Sequence, residues 1–597
     1  MTGGNGQSGS ASSATGRLLA SPYALACVLV LALLLRVGHV LSLRSLPLFD
    51  RLWLDSEVYD QWALDIAAGN WLGGDRAFFM DPLYSYVLAI VYSLFGHDLL
   101  VARLLQAGLG CATCALVALI GYRVSGSRAV STVSAFLMAV YEPAVFQEGE
   151  IEKTALGVFL ITAALACAAG RGRASCFFSG VFLALASLTR GNLLLLLPLG
   201  IIYFIIRPEH EASAPPTDSS AWRDRLRGGL TGSGGRNALL FLAGSCLILS
   251  APLLRNHHVS GEWVIITSMA GQNLYTGNNP YNAIGAYKPL PFVRPQSLNE
   301  EPDFRAMAES LAGRPLTPGE ASSFWLRESL RHIVENPGFA ATAFARKFCL
   351  FWSDVEVVDT WDMYFMRRYS PVLRLPLLNF STVLMFAVIG ALHYYKKHRE
   401  VMLLAGFIAA YSVTVTLFFI LSRYRIHAVP TLAVLSALGL SWTWGALKEK
   451  NWKPLLRAVA VGVPVFLFSY AGSLTFGYDA RESVNSYTLL AELYRKNNDL
   501  ASAEQLLKEA LHKFGNTPPT LQALGLLYAS RKDPGNAYFY FNQCVTIDES
   551  YPDALFLLGI SLESLGKTPE AIEAYKRQLV LIPNHAASKE RLSVLQH

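Results

Sequence analysis

Acidic residues follow the first apolar run of the sequence, within "LWLDSEVYDQWALDIAAGNWL" at 52–72. Asp55 lies in the loop that follows that run and has the aromatic neighbours Trp53 and Tyr59. Apolar surroundings near a membrane raise the pKa of a carboxyl group and make it a competent general base. The position therefore predicts a catalytic base at Asp55, with Glu57 as a candidate helper.

A second acidic stretch, "QEGEIEK" at 147–153, lies in a short connector between two apolar runs. Its catalytic candidates are Glu148 and Glu150. Acids from two loops can together hold a base, a divalent cation or a sugar hydroxyl. The alternative is a solvated hairpin between spans, and the sequence leaves both interpretations open.

Four arginines are candidates for binding a phosphate group. They are Arg103 in "VARLLQAG", Arg190 in "LTRGN", and Arg423 and Arg425 in "SRYRIHAVP". A guanidinium group donates two parallel hydrogen bonds to phosphate oxygens, so each position suits an anionic lipid headgroup. The alternative is that their long side chains only reach the membrane interface.

Candidates for binding a sugar come from two loops. The stretch "GQNLYTGNNP" at 271–280 supplies Asn273, Tyr275 and Asn278, and the first loop supplies Tyr59 and Asp81. Amide, phenol and carboxylate groups hydrogen-bond to sugar hydroxyls. The adjacent His257 and His258 have no further ligands nearby in the sequence and do not predict a metal site.

The elements that position these residues are apolar helices. The chain has 597 residues, of which 52% are hydrophobic and only 16% charged, and its mean hydropathy is +0.33. Soluble domains carry about 25% charged residues, so the composition indicates a multi-span membrane protein with a soluble portion. The net charge of +6 is modest, and we expect no nucleic-acid partner.

Apolar runs of about 17–25 residues predict eleven transmembrane helices. They lie near 21–43, 100–122, 128–146, 152–170, 174–189, 192–207, 237–255, 372–394, 401–421, 425–447 and 453–474. The shorter run 82–96 starts with proline, and we expect it to lie along the interface instead.

The basic connectors set the orientation. If 82–96 does not span, the arginine- and lysine-rich connectors all fall on one side, which the positive-inside rule makes cytoplasmic. The acidic loop 44–99, the large loop 256–371 and everything after 475 then lie on the extracytoplasmic side.

The C-terminal part, 483–597, repeats with a period of 34 residues. Leu490, Leu524 and Leu558 recur at this spacing, as do small residues twelve or thirteen positions later. The period and the pattern are typical of tetratricopeptide repeats, which stack into a solenoid with a concave face. The repeats could bind a partner protein or the acceptor, or only pack against the large loop. At the other end, 1–20 is Gly/Ser-rich and is expected to be a disordered cytoplasmic tail.

Seven stretches in order resemble one family over roughly 20–430. They are "LDSEVYDQWALDIAAGNWL", "FFMDPLYSYVLAIVYSLFG", "ARLLQAGLG", "LASLTRGNLLLLLPL", "RNHHVSGEWVIITSMAGQNLYTGNNP", "ENPGFAATAFARKFCLFWSDVE" and "SRYRIHAVP". The sequence is similar to polyprenyl-phosphate-dependent glycosyltransferases of the GT-C type, in the bacterial branch related to protein O-mannosyltransferases (family 39) and the lipid A aminoarabinose transferase. This resemblance implies an all-α fold, with a polytopic GT-C membrane domain over 21–474 followed by a tetratricopeptide-repeat solenoid.

The resemblance also implies a mechanism. The donor is a hexose or pentose on an undecaprenyl or dolichyl phosphate, and a first-loop acid deprotonates the acceptor hydroxyl, which attacks with inversion. By position Asp55 is that acid, and arginines such as Arg103, Arg423 and Arg425 stabilise the phosphate. The family often has adjacent Asp and Glu here, whereas this chain has Asp55-Ser56-Glu57, so the second acid could be Glu148 or Glu150 instead.

Several points remain open at this stage. The acceptor is a protein, a lipid or a glycan, no cofactor is required by the motifs, and a divalent cation stays an option. An oligosaccharyltransferase or ligase with a diphosphate-linked donor, a lipid transporter and a non-catalytic scaffold are the alternatives. We expect a bacterial inner-membrane protein with a periplasmic site and repeats, or an ER protein with a lumenal site in a eukaryote.

Overall fold

The computed structural model describes residues 19–207, 232–288, 290–294, 296–471 and 482–596. Over these ranges the chain is helical, and the only extended pairings are two isolated bridges. The predicted all-α fold is therefore confirmed. The expected N-terminal tail lies almost entirely outside the described residues.

The membrane part is a succession of helices. They are α1 (Pro22–Ser42), α2 (Asp55–Ala67), α3 (Leu83–Phe95), α4 (Leu99–Ser125), α5 (Arg128–Ala139), α6 (Glu142–Gln147), α7 (Thr154–Ala169), α8 (Arg173–Ser187), α9 (Leu197–Ile206) and α10 (Ser233–Ser260). Further helices are α11 (Ala270–Gly277), α12 (Ser297–Ala312), α13 (Pro318–Glu335), α14 (Pro337–Trp352), α15 (Met363–Met366), α16 (Phe380–Tyr394), α17 (Arg399–Thr416), α18 (Ser422–Arg425), α19 (Val429–Lys448) and α20 (Trp452–Ala471). Short 3-10 turns lie at Pro47–Phe49, Gly191–Leu196, Val372–Arg374 and Ile426–Ala428.

Each predicted span overlaps a helix, but 128–146 is divided between α5 and α6, 372–394 is α-helical only from Phe380, and the helices differ in length. Within the described residues, six are long and apolar enough to cross a membrane, namely α1, α4, α10, α17, the continuous Ser422–Lys448 segment and α20. The other predicted spans are apolar helices of 10–17 residues. A bilayer core of about 30 Å needs about 20 helical residues, so these shorter helices cannot be identified as spans from their length.

Small residues let the apolar helices pack closely. At the crossing of α16 and α19, a Cβ on Gly390 would lie 2.0 Å from the Leu435 carbonyl oxygen, and one on Gly439 would lie 2.1 Å from that of Phe386. Such contacts between backbones are typical of helix packing in membranes.

The predicted interfacial segment 82–96 is the 13-residue helix α3. Its length of about 20 Å is shorter than the bilayer core. It packs beside α2, where Ser85 Oγ donates to the Tyr59 carbonyl oxygen at 3.2 Å, and Tyr84 donates to Gln106 of α4 at 2.6 Å. The first loop is thus a pair of helices fixed to the bundle.

The large loop folds around an aromatic cluster. The buried Trp325 of α13 packs against Phe304, Phe292 and Tyr275, and its indole N–H donates to the Phe304 carbonyl oxygen at 2.9 Å. This cluster fixes α12, whose first residue, Ser297, reaches the site described below.

The repeats form helices α21 (Val484–Lys496), α22 (Leu500–Phe514), α23 (Pro518–Ser530), α24 (Pro534–Ile547), α25 (Ala554–Ser564), α26 (Thr568–Leu581) and α27 (Ala586–Leu595). Gly525 and Gly559 have the large rings of Phe541 and Tyr575 directly over them, which explains the need for small residues at the repeated positions. The predicted repeat architecture is confirmed.

The first repeat is joined to the membrane part. Tyr487 packs against Phe365 with ring centroids 4.6 Å apart, in one hydrophobic cluster with Leu46 and Phe49 of the first loop. Around this cluster Arg368 forms an ion pair with Glu509 at 2.6 Å. The repeats are therefore held in one orientation against the first loop.

Candidate active site

A cavity of about 2090 Å³ lies between the membrane part, the large loop and the repeats. Its walls include the start of α2, the segment before α19, the residues leading into α12, and the first helices of the repeats. Of the sequence-predicted site residues, it brings together Asp55, Asp81, Arg190, Asn273 and Arg423.

Asp55 is the first residue of α2 and points into this cavity. Its Oδ2 accepts from Arg423 Nη2 at 2.9 Å, and its Oδ1 accepts from Ser297 Oγ at 2.7 Å. The preceding residue, Leu54, has φ +53°, a conformation that is strained for a residue with a branched side chain. The helix N-terminus adds a favourable interaction with the negative charge.

Arg423 is surrounded by carboxylates. Besides Asp55 it pairs with Glu152, and its Nε lies 2.8 Å from Asp359 Oδ2. The guanidinium group is buried, and the three carboxylates neutralise its positive charge. Its predicted role as a phosphate ligand therefore does not fit this geometry, because the carboxylates would repel a phosphate.

The pKa of Asp55 departs from the sequence expectation. Burial acts to raise this pKa, but the charges of Arg423 and Lys153 and the hydrogen bonds from Ser297 and Arg423 outweigh it, so it lies below its usual value. The expectation of a raised pKa was wrong because the sequence did not indicate a direct arginine partner. Asp55 is ionised at neutral pH.

Two neighbouring acids, Glu300 and Asp359, have raised pKa values. Burial raises the pKa of Glu300 to about 7, helped by the charge of Asp55. Burial likewise raises the pKa of Asp359 to about 6, against the attraction of Arg423. The acids of the site therefore titrate in different pH ranges.

Lys153 and Asp81 form the adjoining wall. Their side chains pair at 2.6 Å, and Asp81 Oδ1 also accepts from the Gly191 amide at 3.2 Å. Lys153 lies 5.5 Å from the ring centre of Tyr59. Asp81 thus fixes the turn after α8 and holds a lysine at the edge of the site.

Arg190 has unused hydrogen-bond donors. Its guanidinium stacks on Tyr424 at 3.9 Å, it is 6% exposed, and its Nε and Nη2 have no hydrogen-bond partner within the described residues. A buried N–H without a partner is costly. Because Arg190 lines the cavity, it is the predicted arginine best placed to receive an anionic ligand.

The other two arginines do not line the cavity. Arg103 donates to the carbonyl oxygens of Gly149 and Phe49, both at 3.0 Å. Arg425 is buried against Glu356 and the Ser353 carbonyl oxygen. Their predicted phosphate-binding role is corrected: each guanidinium group is occupied by partners from distant parts of the chain.

The predicted second acids also lie outside the lining. Glu57 is exposed to solvent on α2. Glu148 pairs with Arg36 of α1 at 2.5 Å inside the bundle. Glu150 lies nearer, and burial raises its pKa to about 8, but the residue of this connector that reaches Arg423 is Glu152.

Three predicted sugar ligands have structural contacts instead. Tyr59 is fully buried beneath Lys153, and Tyr275 packs on Trp325 at 4.6 Å. Asn278 accepts from Lys347 Nζ and donates to the Leu417 carbonyl oxygen, both at 2.8 Å. None of the three lines the cavity, whereas Asn273 does.

Sequence reasoning missed Ser297, Glu300 and Asp359. Glu152 and Lys153 belong to the "QEGEIEK" stretch that the sequence singled out, but Glu148 and Glu150 were chosen from it as the catalytic candidates. Ser297, Glu300 and Asp359 come from the large loop, and no motif there distinguishes them from other polar residues. Their proximity to Asp55 depends on how that loop folds.

A divalent cation was an open option for these acids. Among the described residues, no group of three His, Cys, Asp or Glu side chains has the arrangement to hold a metal ion. The carboxylates that converge at the site are instead paired with Arg423. The donor set does not fit a resident metal.

Family comparisons support the resemblance seen in the sequence. Residues 77–215 match the family described as dolichyl-phosphate-mannose-protein mannosyltransferase. Residues 484–511, 518–551 and 553–577 match tetratricopeptide repeats. These matches confirm the similarity to GT-C glycosyltransferases with C-terminal repeats. A search of curated proteins found no match.

Solved structures with some similarity include two membrane enzymes. ArnT from Cupriavidus metallidurans bound to undecaprenyl phosphate is 14% identical, with 94% of this chain and 80% of that chain covered and a TM-score of 0.38. The oligosaccharyltransferase AglB from Archaeoglobus fulgidus, in complex with an inhibitory peptide and a dolichol-phosphate, is 15% identical, with 79% and 58% covered and a TM-score of 0.39. The chain thus spans a little over half of the length of AglB.

Proposed function

We propose that this protein transfers a sugar from a polyprenyl monophosphate to an acceptor hydroxyl, with inversion and with Asp55 as the base. The observation that carries the proposal is the Asp55 carboxylate at the wall of a large cavity, with the buried Arg190 on the same wall, two of whose donors have no partner within the described residues. The family match over 77–215 supports the reaction class.

Asp55 is suited to receive a proton during the attack. The acceptor oxygen forms a bond to the anomeric carbon while the bond from that carbon to the phosphate oxygen breaks. The acceptor proton moves to Asp55, and the leaving lipid phosphate takes the bonding electrons. Because the pKa of Asp55 is low, the carboxylate is ready at neutral pH and takes the proton late, when the hydroxyl has become acidic.

Arg190 is the proposed phosphate partner. It lines the cavity and supplies positive charge where the leaving phosphate gains negative charge, whereas Lys153 on the same cavity wall is paired with Asp81. Arg423 instead keeps Asp55 ionised and oriented, since it bonds directly to Oδ2. Asn273 is the remaining candidate for a sugar hydroxyl.

The positive-inside rule supports an extracytoplasmic site, because the cavity is built from the first loop, the large loop and the repeats. In a bacterium this is the periplasmic face of the inner membrane, and in a eukaryote it is the ER lumen. The sugar is a hexose or a pentose in this proposal.

The test uses purified full-length protein with a panel of polyprenyl-phosphate hexoses and pentoses. Release of lipid phosphate is measured for the wild type, for Asp55→Asn and for the matched control Asp65→Asn, an exposed acid on the same helix. We expect release with at least one donor, its loss in Asp55→Asn alone, and no effect of EDTA. Full release by Asp55→Asn would contradict the proposal.

A further inference from the structure

We infer that the first repeat helix, α21, is part of the catalytic centre. Lys496 and Ser486, near its two ends, are positioning residues for the carboxylates that surround Arg423. This inference rests on the proposed function and adds residues of the repeats to its machinery. It assigns the first repeat a role in the reaction itself.

Lys496 is the last residue of α21 and holds the chain just before Asp55. Its Nζ lies 3.9 Å from the ring centre of Trp53, two residues before Asp55. Burial lowers the pKa of Lys496, and the charges of Glu492 and Glu57 act against it, so acids of both α21 and α2 stabilise the ammonium group there. Tryptophan is the aromatic ring that attracts a cation most strongly, so this contact holds the indole in place.

The position of Trp53 matters because the next residue is strained. Leu54 has φ +53° and ψ −127°, outside the regions that a leucine adopts freely. Such a conformation persists only when the structure holds the chain on both sides of it. On one side, Asp55 accepts hydrogen bonds from Ser297 and Arg423. On the other, Trp53 packs against the hydrophobic cluster of the first repeat. Release of Trp53 would let Leu54 relax and would shift the first residue of α2.

Ser486, in the first turn of α21, holds the segment that follows Asp359. Its Oγ accepts from the Asp362 amide at 2.9 Å, and Asp362 Oδ2 accepts from the Ser483 amide at 2.6 Å. Asp359 lies three residues before Asp362, and its Oδ2 is 2.8 Å from Arg423 Nε. The helix α21 is about 20 Å long. It therefore contacts the two segments, one from the first loop and one from the large loop, that bring carboxylates to this arginine.

The repeat pattern does not account for the lysine at the end of α21. One and two repeat periods later, the equivalent positions are Ser530 and Ser564, each the last residue of its helix. The position of Ser486 needs only a small side chain, since Thr520 and Ala554 are its equivalents and are fully buried. The contacts with the membrane part explain the lysine and the serine hydroxyl.

The position of the carboxylate decides the rate of proton transfer. A general base must lie within about 2.6–3.2 Å of the group whose proton it takes, and a displacement of about 1 Å can cost about 10²-fold in rate. The proposed phosphate partner, Arg190, lies on another segment of the cavity wall. Loss of the contacts of α21 should therefore lower kcat and leave donor binding nearly unchanged.

The first experiment measures the hold on Asp55 without a donor. Hydrogen exchange of the amides of 52–60 is followed by mass spectrometry in the full-length protein, for the wild type, Lys496→Met, Lys496→Arg and the control Lys567→Met. Lys567 also lies over a ring, that of Tyr538 at 5.2 Å, but within the repeats. We expect about threefold faster exchange in Lys496→Met alone, because arginine also stacks on an indole. Wild-type exchange in Lys496→Met, or equally fast exchange in Lys567→Met, would overturn the inference.

The second experiment measures lipid-phosphate release, with the polyprenyl-phosphate sugar that the wild type cleaves fastest. In Lys496→Met and in Ser486→Ala, we expect kcat to fall about tenfold while the KM for donor stays within about twofold. Lys496→Arg should recover most of the rate. The control Thr520→Ala makes the equivalent change in the second repeat and should keep the wild-type kcat.

The effect of Lys496 should pass through Trp53, so Lys496→Met should add little to the loss in Trp53→Leu. Fully additive losses in this pair, or equal losses in Ser486→Ala and Thr520→Ala, would overturn the inference. Faster exchange of 52–60 in Lys496→Met, with no release by the wild type from any donor, would instead reject the proposed function and leave the hold on Asp55 supported.

Discussion

The arginines of the cavity wall and those behind it differ in how their donors are used. Arg103 and Arg425, behind the wall, donate to carbonyl oxygens or a carboxylate, and of their donors the Arg425 Nε lacks a partner within the described residues, although the sequence around them resembles an anion site. Arg190, on the wall, has two donors without a partner within the described residues. This difference supports Arg190, and not Arg103 or Arg425, as the proposed phosphate ligand.

The largest effect on the transfer rate is expected at Asp55, the proposed base on the cavity wall. Asp55→Asn removes the proton acceptor but keeps the shape, so transfer should fall by about 10²–10⁴-fold. The measurement is the initial rate of lipid-phosphate release at saturating donor. Asp65→Asn should keep the wild-type rate, and equal losses in both variants would show that the fold, and not the base, was affected.

For Arg425, behind the cavity wall, we expect a substitution to lower the stability of the fold. Arg425→Gln leaves Glu356 buried without its partner, and breaking a buried ion pair in this way costs about 3–5 kcal/mol. Thermal unfolding in detergent and the yield of folded protein measure this. Arg425→Gln with wild-type stability and low activity would contradict the comparison, since it would make Arg425 a ligand.

At Arg190, unlike Arg425, we expect a substitution to lower activity and to leave stability nearly unchanged. Arg190→Gln removes two donors that have no partner within the described part of the chain, so the unfolding temperature should stay within a few degrees while kcat/KM for the donor falls about 10–100-fold. Arg190→Lys should recover part of the rate because it restores the charge. A large loss of stability without loss of donor binding would remove Arg190 from the proposed site.

The smallest effect concerns the raised pKa of Glu300. With a folded pKa of about 7, against about 4.5 in the unfolded chain, the folded protein holds a proton that the unfolded chain releases. The folded state therefore binds more protons between these values, and stability falls as pH rises from about 4.5 to 7. Glu300→Gln should flatten this slope, by about 1 kcal/mol or less because the side chain is partly exposed. An unchanged slope in Glu300→Gln would show that another group causes it.

The sequence predicted the architecture because apolar length and the 34-residue period are local properties. The helices from Pro22 to Ala471 and the three repeats follow the predicted segments closely. Asp55 could be singled out because it lies in the first acidic loop after a span.

The partners of each charge could not be predicted in the same way. Arg103 and Arg190 look alike in the sequence, and what separates them is whether distant carbonyl oxygens, such as those of Phe49 and Gly149, reach the guanidinium group. Asp359 and Glu300 come from a long loop whose path over the site is set by an aromatic cluster around Trp325. These contacts join parts of the chain far apart in sequence.

The hydrophobic cluster that joins Tyr487 to Leu46 and Phe49 has a consequence for biogenesis. The first loop leaves the ribosome before the repeats do. One wall of the cavity therefore cannot form until the repeats have been made and have folded, so a nascent chain holds Asp55 in an unfinished site. The proposed transfer can begin only once that wall is in place.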